Sequence, residues 1–543
     1  MTSHFDSSLR GQIWIASVSA FGLAALNVVW ITILDGYDFH FGPLHLVAHD
    51  LFKPLLFLNF AYFASLAARG GSSADVVAMP ARERRVANAG FLIAVAAVTA
   101  AIYASSFHIN LEFPDWTHRI STNGRSALSF FTERQYDGLY RPLTFISLWI
   151  DNRMFGDALW AYHMQNLLLH FLNAVLVARL ALRCGLSRTW AQWAGILFAA
   201  LPSAFEAVIW PGARFDLLAT AFTLIAFERA LAGSIVASAA AFALGVLSKE
   251  SAYCYPLVLG AIYVWRTRLR IALDGRRFRH VLAAAAAITV VLIAIRFAIY
   301  GNFGGFLDPV TGKAIQFVIT PRSLTSLLSR VPGSLYIVNS TIGLTLWMRV
   351  ALLLYIAAIS ASLLSGARLG SHAFLVVLPF LAAIPMLNMI GWVNHFAQQG
   401  RYLYLPGVWA IIAACWALAR ARYARITAVA LAASMAAAAM INTSAYHRML
   451  HAVDLTTTSA VAACTNSSCC HTLILEDVPA DLYGAFYFRH QVWRDLQHLL
   501  PEVNIPEPNG PGIASPCTLI LHWTDGNTWT SQQLDSKDGP RSP

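Results

Sequence analysis

The sequence contains few charged residues for its length. Asp, Glu, Lys and Arg make up only 12% of its 543 residues, whereas a soluble domain carries about 25%. Hydrophobic residues make up 57% of the same chain. This composition excludes an ordinary soluble domain and is typical of a protein embedded in a membrane.

Patterns that would indicate several other classes of protein are also missing. The first apolar run lacks a short hydrophobic core followed by a small-residue cleavage site, so we expect a retained helix and not a secretory signal. No tetratricopeptide pattern follows the apolar part. Most of the net charge of +10 lies in short loops, where it orients a membrane protein, so we expect no nucleic-acid partner.

Repeated apolar runs predict membrane-spanning helices, since about 17–25 such residues cross a bilayer. We predict an all-α polytopic membrane protein with about thirteen transmembrane helices. The run at 335–364 is too long for one crossing, and part of it is expected to lie along the interface. The predicted spans lie near residues 12–34, 51–68, 88–106, 159–182, 190–205, 214–231, 234–249, 252–266, 280–300, 335–364, 372–391, 402–420 and 424–442.

Arginine-rich turns follow alternate spans and set the predicted orientation. Cytoplasmic loops carry an excess of Lys and Arg, which places the N-terminus in the cytoplasm and the C-terminus outside it. We predict three parts: a two-helix membrane hairpin at 1–87, a transmembrane domain at 88–442, and a small extracytoplasmic α/β domain at 443–543. A further short hairpin is expected in Asp35–Lys53.

The C-terminal part is less apolar and contains four of the seven cysteines, among them the pair Cys469 and Cys470. Oxidation is allowed outside the cytoplasm, and these cysteines have no zinc-binding spacing, so a disulfide is favoured over a metal. Strands are expected at Leu473–Leu475 and Thr518–Leu521, around a helix near Ala485–Leu500.

The ionisable residues of the apolar part collect at three turns between predicted helices. A charge at this depth costs free energy and usually faces a cavity or a partner. The predicted topology places all three turns on the outer side. The residues are Glu206, Arg214 and Asp216 in the first turn, Lys249 and Glu250 in the second, and Arg401, Tyr402 and Tyr404 in the third.

The predicted first outer loop, from His108 to about Leu159, is too long and polar to be a mere connection. Glu112 and Asp115 come directly after a membrane exit, which favours a catalytic function for one of them.

Arg141 lies near the end of this loop, and the next helix carries His163, Asn166 and His170. Spacings of three and four residues place the last three on one broad helical face. They are candidates for substrate binding. The alternative is that they form hydrogen bonds between neighbouring helices, which is common in membranes.

Several short motifs follow one another between residues 88 and 420. One such motif alone would be a weak signal, but several in this order are more specific. The motifs are Tyr140-Arg-Pro-Leu, Tyr162-His163-x-x-Asn166-x-x-x-His170-x-x-Asn173, Pro202-x-x-x-Glu206-Ala-Val, Gly212-x-Arg214-x-Asp216-Leu-Leu-Ala, Leu247-Ser-Lys249-Glu250-Ser and Arg401-Tyr402-Leu-Tyr404-Leu-Pro406. In order and spacing they resemble membrane glycosyltransferases of the GT-C type, in particular bacterial relatives of the tetratricopeptide-repeat O-mannosyltransferases.

The resemblance implies a GT-C-like fold in the bacterial inner (plasma) membrane and a polyprenyl-phosphate sugar donor. It also implies that a carboxylate in the first outer loop is the catalytic base. Related enzymes usually have adjacent acidic residues there, whereas Phe113 and Pro114 separate Glu112 from Asp115. Leu201 stands where related mannosyltransferases often have histidine. The base and the sugar are therefore both left open, as is the acceptor: a protein, a lipid or a glycan.

The chemistry of such a transfer fits these residues. A base must take the proton of the acceptor hydroxyl, and positive charge must hold the departing phosphate. Asp115 or Glu112 can be the base. Two separated carboxylates do not require a divalent metal, so the cofactor is left open. The predicted phosphate-binding residues are Lys249, Arg401, Arg214, Tyr402 and Tyr404.

Three alternatives remain at this point. Glu206 and Asp216 could instead hold Arg214 in a structural ion pair, because buried charges must be paired. The whole chain could be a lipid-linked sugar transporter or flippase, although no inverted repeat is evident. It could also be a degenerate GT-C scaffold that acts without catalysis.

Overall fold

The structure is a computed structural model. It describes residues 2–35, 37–41, 44–48, 50–69, 86–108, 122, 124–135, 138–156, 158–269, 274–301, 306–307, 314–315, 319–339, 345–394, 397–467, 470–478, 492–493, 496–497, 499–500, 502–506, 517–524 and 528–534. The two candidate bases, Glu112 and Asp115, lie outside these described residues.

Helices make up most of the described chain. In order they are α1 (Thr2–Leu34), α2 (Phe52–Ala68), α3 (Ala89–Tyr103), α4 (Ser129–Thr132), α5 (Pro142–Phe155), α6 (Leu159–Arg183), α7 (Arg188–Ala199), α8 (Phe205–Ile209), α9 (Arg214–Leu231), α10 (Ile235–Ser248), α11 (Cys254–Arg268), α12 (Gly275–Tyr300), α13 (Pro321–Arg330), α14 (Leu346–Leu364), α15 (Leu378–Ala383), α16 (Tyr404–Leu418) and α17 (Ala424–Asn466). Short 3₁₀ turns join several of them, at Ala104–His108, Pro202–Ala204, Pro211–Ala213, Glu250–Tyr253, Val331–Ser334, Gly370–Val377, Ile384–Met386, Ile390–Trp392 and Gly400–Leu403.

The strands are short and belong to three small sheets. They are β1 (Tyr37–Phe41), β2 (Leu44–Ala48), β3 (Phe306–Leu307), β4 (Ala314–Ile315), β5 (Thr472–Glu476), β6 (Thr518–Thr524) and β7 (Thr528–Leu534). Strands β1 and β2 pair antiparallel with Phe39 opposite Leu46, so the hairpin expected between the first two helices is present. Strands β3 and β4 also pair antiparallel.

Membrane crossing is supported by the length and composition of the helices. Among the described residues, seven helices are long and apolar enough to cross a membrane, and a bent pair would be an eighth. That pair joins Arg188–Ala199 to Pro202–Ile209 at an angle of 46°. The seven are Leu9–Leu34, Ala89–Phe107, Leu159–Arg183, Gly275–Tyr300, Leu346–Leu364, Gly400–Leu418 and Ala424–Asn466. The chain is therefore a polytopic α-helical membrane protein, and the prediction of thirteen spans is not confirmed.

Proline explains one part of this difference. The predicted span at 372–391 is divided into 3₁₀ turns and the six-residue α15. Pro379 and Pro385 lie within this stretch, and a proline has no backbone N–H to donate. Apolarity alone therefore predicted a longer helix than the backbone forms.

Other helices also differ from the predicted ones in where they begin or end. The long outer loop contains α5, which begins with Pro142 at its first position and ends before Gly156 at φ 51°. Proline is favoured at a helix start because its missing N–H has no helical partner there. In the run 335–364 the helix begins only at Leu346. The last predicted span, 424–442, continues as α17 to Asn466.

The chain divides into two compact units, one of residues 1–108 and 118–443 and the other of 109–117 and 444–543. In the second unit β5 pairs parallel with β6, and β6 pairs antiparallel with β7. Leu473, Leu475 and Leu521 belong to its buried apolar cluster. The two expected strands are therefore present, whereas most of the helix expected near residues 485–500 lies outside the described residues.

Disulfides occur in the second unit, as expected from its cysteines. Cys464 and Cys470 are joined, and Cys517 is also disulfide-bonded. The free cysteines of the described residues, Cys184, Cys254 and Cys415, are all buried in the first unit. Among the described cysteines, the disulfide-bonded ones therefore lie in the second unit and the free ones in the first.

Candidate active site: a row of buried charges

Lys249 lies in an extended conformation just after the end of α10. Its side chain is 1% exposed, and its Nζ lies 2.5 Å from Oδ1 of Asp216. Asp216 belongs to the first turn of α9, where the positive end of the helix dipole also stabilises a carboxylate. The turn after α10 and the start of α9 are thereby joined by a buried ion pair.

Arg401 forms the second ion pair, with Nη1 2.5 Å from Oε1 of Glu206 in α8. The backbone comes close here, since a Cβ on Gly400 would lie 3.1 Å from the carbonyl oxygen of Ser203. Gln399, two residues before Arg401, has a left-handed φ of 59°. A non-glycine residue in that conformation costs about 1–3 kcal/mol and is often found at functional sites.

Aromatic rings connect the two pairs. Nζ of Lys249 lies 5.0 Å from the ring centre of Tyr402, and Cζ of Arg401 lies 5.2 Å from the same centre. Cζ of Arg401 also lies 4.6 Å from the ring centre of Trp210. These distances fall within the range of cation–π attraction. Two cations distant in sequence therefore meet at one buried tyrosine.

The row continues through Phe215 to a third group of charges. Nζ of Lys249 lies 4.7 Å from the Phe215 ring centre, and Cζ of Arg141 lies 4.4 Å from it. Arg141 donates from Nε and Nη2 to Oε2 of Glu250, at 3.0 and 2.8 Å. Arg296 of α12 approaches Oε1 of the same carboxylate at 3.5 Å. Glu250 is thus shared by two arginines from distant segments.

The two arginines control the acidity of Glu250. Burial alone would raise the pKa of its carboxyl, but Arg141 and Arg296 outweigh burial and bring the pKa below its ordinary value. The carboxylate is therefore ionised at neutral pH and holds both guanidinium groups.

The charged row, as named here, consists of four cations and three carboxylates: Arg141, Lys249, Arg296 and Arg401 with Glu206, Asp216 and Glu250. Its formal charge is four minus three, or +1. Most of it is buried, and its most exposed side chains are Glu250 at 21% and Arg401 at 12%. Arg401 is therefore the most exposed cation of the charged row.

Some buried polar atoms of the charged row can still form hydrogen bonds. Among the described residues, buried Oδ2 of Asp216 and Nε of Arg401 have no hydrogen-bond partner. An unpaired buried donor costs about 1–3 kcal/mol. A ligand oxygen at Arg401 would remove that cost.

Arg214 lies apart from the charged row. Its guanidinium is fully buried and pairs with Asp151 of α5. It also donates to Oδ1 of Asn166 at 3.0 Å, to Oγ of Ser147 at 3.1 Å and to the carbonyl of Tyr162 at 3.1 Å. The alternative in which Glu206 and Asp216 hold Arg214 is wrong, because those carboxylates pair with Arg401 and Lys249. Arg214 instead joins α5, α6 and α9.

The polar face of α6 also forms interhelical hydrogen bonds. Nδ1 of His163 lies 3.0 Å from the carbonyl oxygen of Ile209, and Nδ2 of Asn166 donates to the carbonyl of Trp210 at 3.0 Å. Nδ1 of His170 lies 2.8 Å from the hydroxyl of Tyr404. These three residues therefore form hydrogen bonds between neighbouring helices, which is the alternative stated in the sequence analysis. The Tyr404 hydroxyl contacts His170 in this arrangement.

Sequence reasoning did not single out Asp151 or Arg296, although each is a charge that directly follows apolar residues. Asp151 lies in Ile146-Ser-Leu-Trp-Ile-Asp151, and Arg296 lies four residues before the end of α12. A charge in such a stretch indicates a partner, so both residues could have been chosen as candidates from the sequence. Their partners could not be found from spacing, because Arg214 is 63 residues away and Glu250 is 46 away.

No metal site is evident in the part of the chain that the structure describes. No group of three or more His, Cys, Asp or Glu side chains there could hold a metal ion. The candidate bases Glu112 and Asp115 remain predictions from sequence, since both lie outside this part.

The chain shows only distant similarity to known proteins. No family model and no curated protein matches the chain. The chain is similar to ArnT from Cupriavidus metallidurans, solved with undecaprenyl phosphate, at 14% identity and a TM-score of 0.38 over 81% of this chain and 94% of that one. It is also similar to the oligosaccharyltransferase of Archaeoglobus fulgidus, solved with zinc and sulfate, at 12% identity and a TM-score of 0.42 over 77% of this chain and 62% of that one. Scores this low do not establish a shared fold, and no conclusion follows from them.

Proposed function

We propose that the chain is a membrane glycosyltransferase that takes a sugar from a polyprenyl-phosphate donor. The observation that carries the proposal is the convergence of Lys249 and Arg401 on the Tyr402 ring. A lipid phosphate lies at the membrane surface with its chain in the bilayer, and it requires positive charge at that depth. The motif resemblance described above supports the same class of reaction.

The cations of the proposed donor site have different properties. Lys249 is a point charge, whereas the guanidinium of Arg401 can contact two phosphate oxygens at once. Asp216 and Glu206 hold these two cations in place before the donor arrives. Because the groups are already oriented, little reorganisation is needed when negative charge develops on the phosphate.

The proposed reaction uses a carboxylate of the first outer loop, Asp115 in preference to Glu112. The carboxylate takes the proton from an acceptor hydroxyl, and the hydroxyl oxygen attacks the anomeric carbon of the sugar. The bond from that carbon to the phosphate oxygen breaks, and the polyprenyl phosphate leaves with its electron pair. Lys249 and Arg401 stabilise this leaving group. The acceptor is a protein, a lipid or a glycan.

The proposed orientation places this reaction outside the cytoplasm of a bacterial inner membrane. Disulfides persist in oxidising compartments, and the Cys464–Cys470 disulfide follows the long helix α17. The disulfide supports an extracytoplasmic C-terminal part, and this support does not depend on the arginine-rich turns.

Binding of undecaprenyl phosphate to the full-length chain in detergent tests the donor site. We expect Arg401→Gln and Lys249→Gln each to weaken binding about tenfold or more, because each removes a charged contact to phosphate. Arg153→Gln is the matched control, since it removes an exposed arginine of α5 that lies over Trp149 and outside the charged row.

Circular dichroism and thermal unfolding must show that each variant is folded. Unchanged affinity in folded Arg401→Gln and Lys249→Gln proteins would rule out the phosphate site. Liposomes that contain the sugar-loaded lipid then separate the two functional classes. An enzyme releases free polyprenyl phosphate, whereas a flippase moves the donor across the bilayer unchanged.

A further inference from the structure

A second cluster of charges lies at the other end of α9, in its last turn. Glu228 is 4% exposed, and its carboxylate contacts three arginines. Oε1 lies 3.2 Å from Nη2 of Arg179 and 3.3 Å from Nη2 of Arg183, and Oε2 lies 2.7 Å from Nε of Arg229. One buried carboxylate thus fixes the positions of three guanidinium groups from two helices.

A fourth arginine of the cluster comes from α11. Arg266 of α11 is buried, and its Nη2 donates to the carbonyl of Arg183 at the end of α6. Among the described residues, its Nε has no hydrogen-bond partner although it is buried. We name Arg179, Arg183, Arg229, Arg266 and Glu228 the arginine cradle. Its formal charge is four minus one, or +3.

The arginine cradle has more donors than Glu228 can use. Each guanidinium carries five N–H groups, and one nitrogen of each of three arginines contacts the carboxylate. The side chains of Arg179, Arg183 and Arg229 are 43%, 38% and 40% exposed. Their remaining N–H groups can therefore reach an external anion while Glu228 keeps them close together.

The position of the cradle identifies the class of anion. It lies where α6, α9 and α11 end, and α6 is long and apolar enough to cross a membrane, so we place the cradle at the bilayer surface. Ser234, which donates its N–H to the carbonyl of Arg229 at 2.9 Å, precedes α10, and Val236 of that helix is 80% exposed. An apolar side chain this exposed beside the cradle suits an acyl chain better than water.

We propose that the arginine cradle binds the phosphate of an anionic membrane phospholipid. Arginine suits this ligand because its planar N–H groups match phosphate oxygens in pairs. Basic pockets between membrane helices are a known way of holding such headgroups. The alternative is that the arginines only orient the protein during insertion, which requires their charge but no bound lipid.

Native mass spectrometry of the full-length chain with added phosphatidylglycerol or phosphatidylcholine tests the proposal. We expect phosphatidylglycerol to bind at least about tenfold more tightly than phosphatidylcholine, and the triple variant Arg179→Gln, Arg183→Gln, Arg229→Gln to lose this difference. The corresponding triple lysine variant keeps the charge but not the paired N–H groups, so we expect it to bind several-fold more weakly than the native chain.

Arg153→Gln is the control, because Arg153 is an exposed arginine over Trp149 that belongs to neither charge cluster, and it should leave phosphatidylglycerol binding unchanged. If the triple glutamine variant does not fold, Arg179→Gln alone carries the test, because its side chain is the most exposed of the three; a several-fold loss is expected. Equal binding of the two lipids, or unchanged phosphatidylglycerol binding in folded Arg179→Gln and triple variants, would overturn the proposal. Displacement of the lipid by millimolar inorganic phosphate would also overturn it in favour of a soluble anion.

Discussion

The two ends of α9 carry the same kinds of residue in different proportions. At the end near Asp216, four cations face three carboxylates, and aromatic rings lie between them. At the end near Glu228, three arginines that are about two-fifths exposed share one carboxylate, and a fourth, Arg266, is buried and donates to a backbone carbonyl. Twelve residues separate Asp216 from Glu228, a rise of about 18 Å along the helix. One helix therefore carries two charge clusters, one in its first turn and one in its last turn.

Burial determines what each end can do. A buried charge must be paired, and removal of one partner costs about 3–5 kcal/mol. An exposed ion pair contributes only about 0–1 kcal/mol. The charged row is therefore held in a fixed arrangement that suits a reaction, whereas the arginine cradle keeps exposed donors that suit a lipid surface.

The predicted membrane topology can be tested by an experiment with only two outcomes. Reporter fusions after Arg85 and after His451 should report opposite compartments, with Arg85 in the cytoplasm. The residues from Ala424 to His451 of α17 rise about 42 Å, which exceeds the hydrocarbon core of about 30 Å. The same compartment for both fusions would contradict the proposed topology.

The sequence predicted the clustering of charges better than their partners. Glu206, Asp216, Lys249 and Arg401 stood at turns between apolar helices, and the structure brings these turns together. Lys249 had Glu250 as its nearest carboxylate in sequence, yet it pairs with Asp216. Periodicity shows which residues lie at a helix end, but it cannot show which end packs beside which.

The helical content was also only partly predictable. The bounds of α9 matched the predicted span at 214–231, because residues 217–227 carry no charge and charged residues stand on both sides of them. Helix α5 was missed because its residues mix polar and apolar side chains and it is too short to cross a membrane. Asp151, its ion pair with Arg214 and its place in the core were missed with it.

A change in the proposed base should have the next largest effect. We expect Asp115→Asn to slow sugar transfer by about 10²–10⁴-fold, because the variant keeps the shape but loses the proton acceptor. Asp274→Asn is the control, since Asp274 is an exposed carboxylate at the start of α12.

Transfer rates with a polyprenyl-phosphate sugar measure both variants. If Asp115→Asn is fully active and Glu112→Gln is inactive, the base is Glu112. Full activity of both variants would remove the loop carboxylates from the mechanism.

Disruption of the most buried pair tests the role of burial. Asp151→Asn leaves the guanidinium of Arg214 buried without a counter-charge, so we expect the free energy of unfolding to fall by about 3–5 kcal/mol. Asp274→Asn breaks an ion pair whose two side chains are more than half exposed, so we expect no measurable loss. Denaturant unfolding in detergent compares the two variants. Equal stability would show that burial does not distinguish these pairs.

The smallest expected effect concerns Glu250, the partly exposed member of the charged row. Glu250→Gln removes the shared partner of Arg141 and Arg296, and we expect a loss of about 1.5–3 kcal/mol in the free energy of unfolding. Because the folded pKa of Glu250 lies below its ordinary value, this contribution is fully present above the ordinary glutamate pKa of about 4.3. It is lost as the pH falls through the lower, folded value.

The difference in stability between the native chain and Glu250→Gln should therefore stay constant from neutral pH to about pH 4.3 and shrink only below it. Arg296 also donates to the carbonyl of Gly138, and Tyr300 donates to that of Leu139, so α12 holds the end of the predicted outer loop at several points. We expect Glu250→Gln to slow transfer less than Asp115→Asn, because these bonds remain. A difference in stability that begins to shrink well above pH 4.3 would contradict the role of the two arginines in keeping Glu250 ionised.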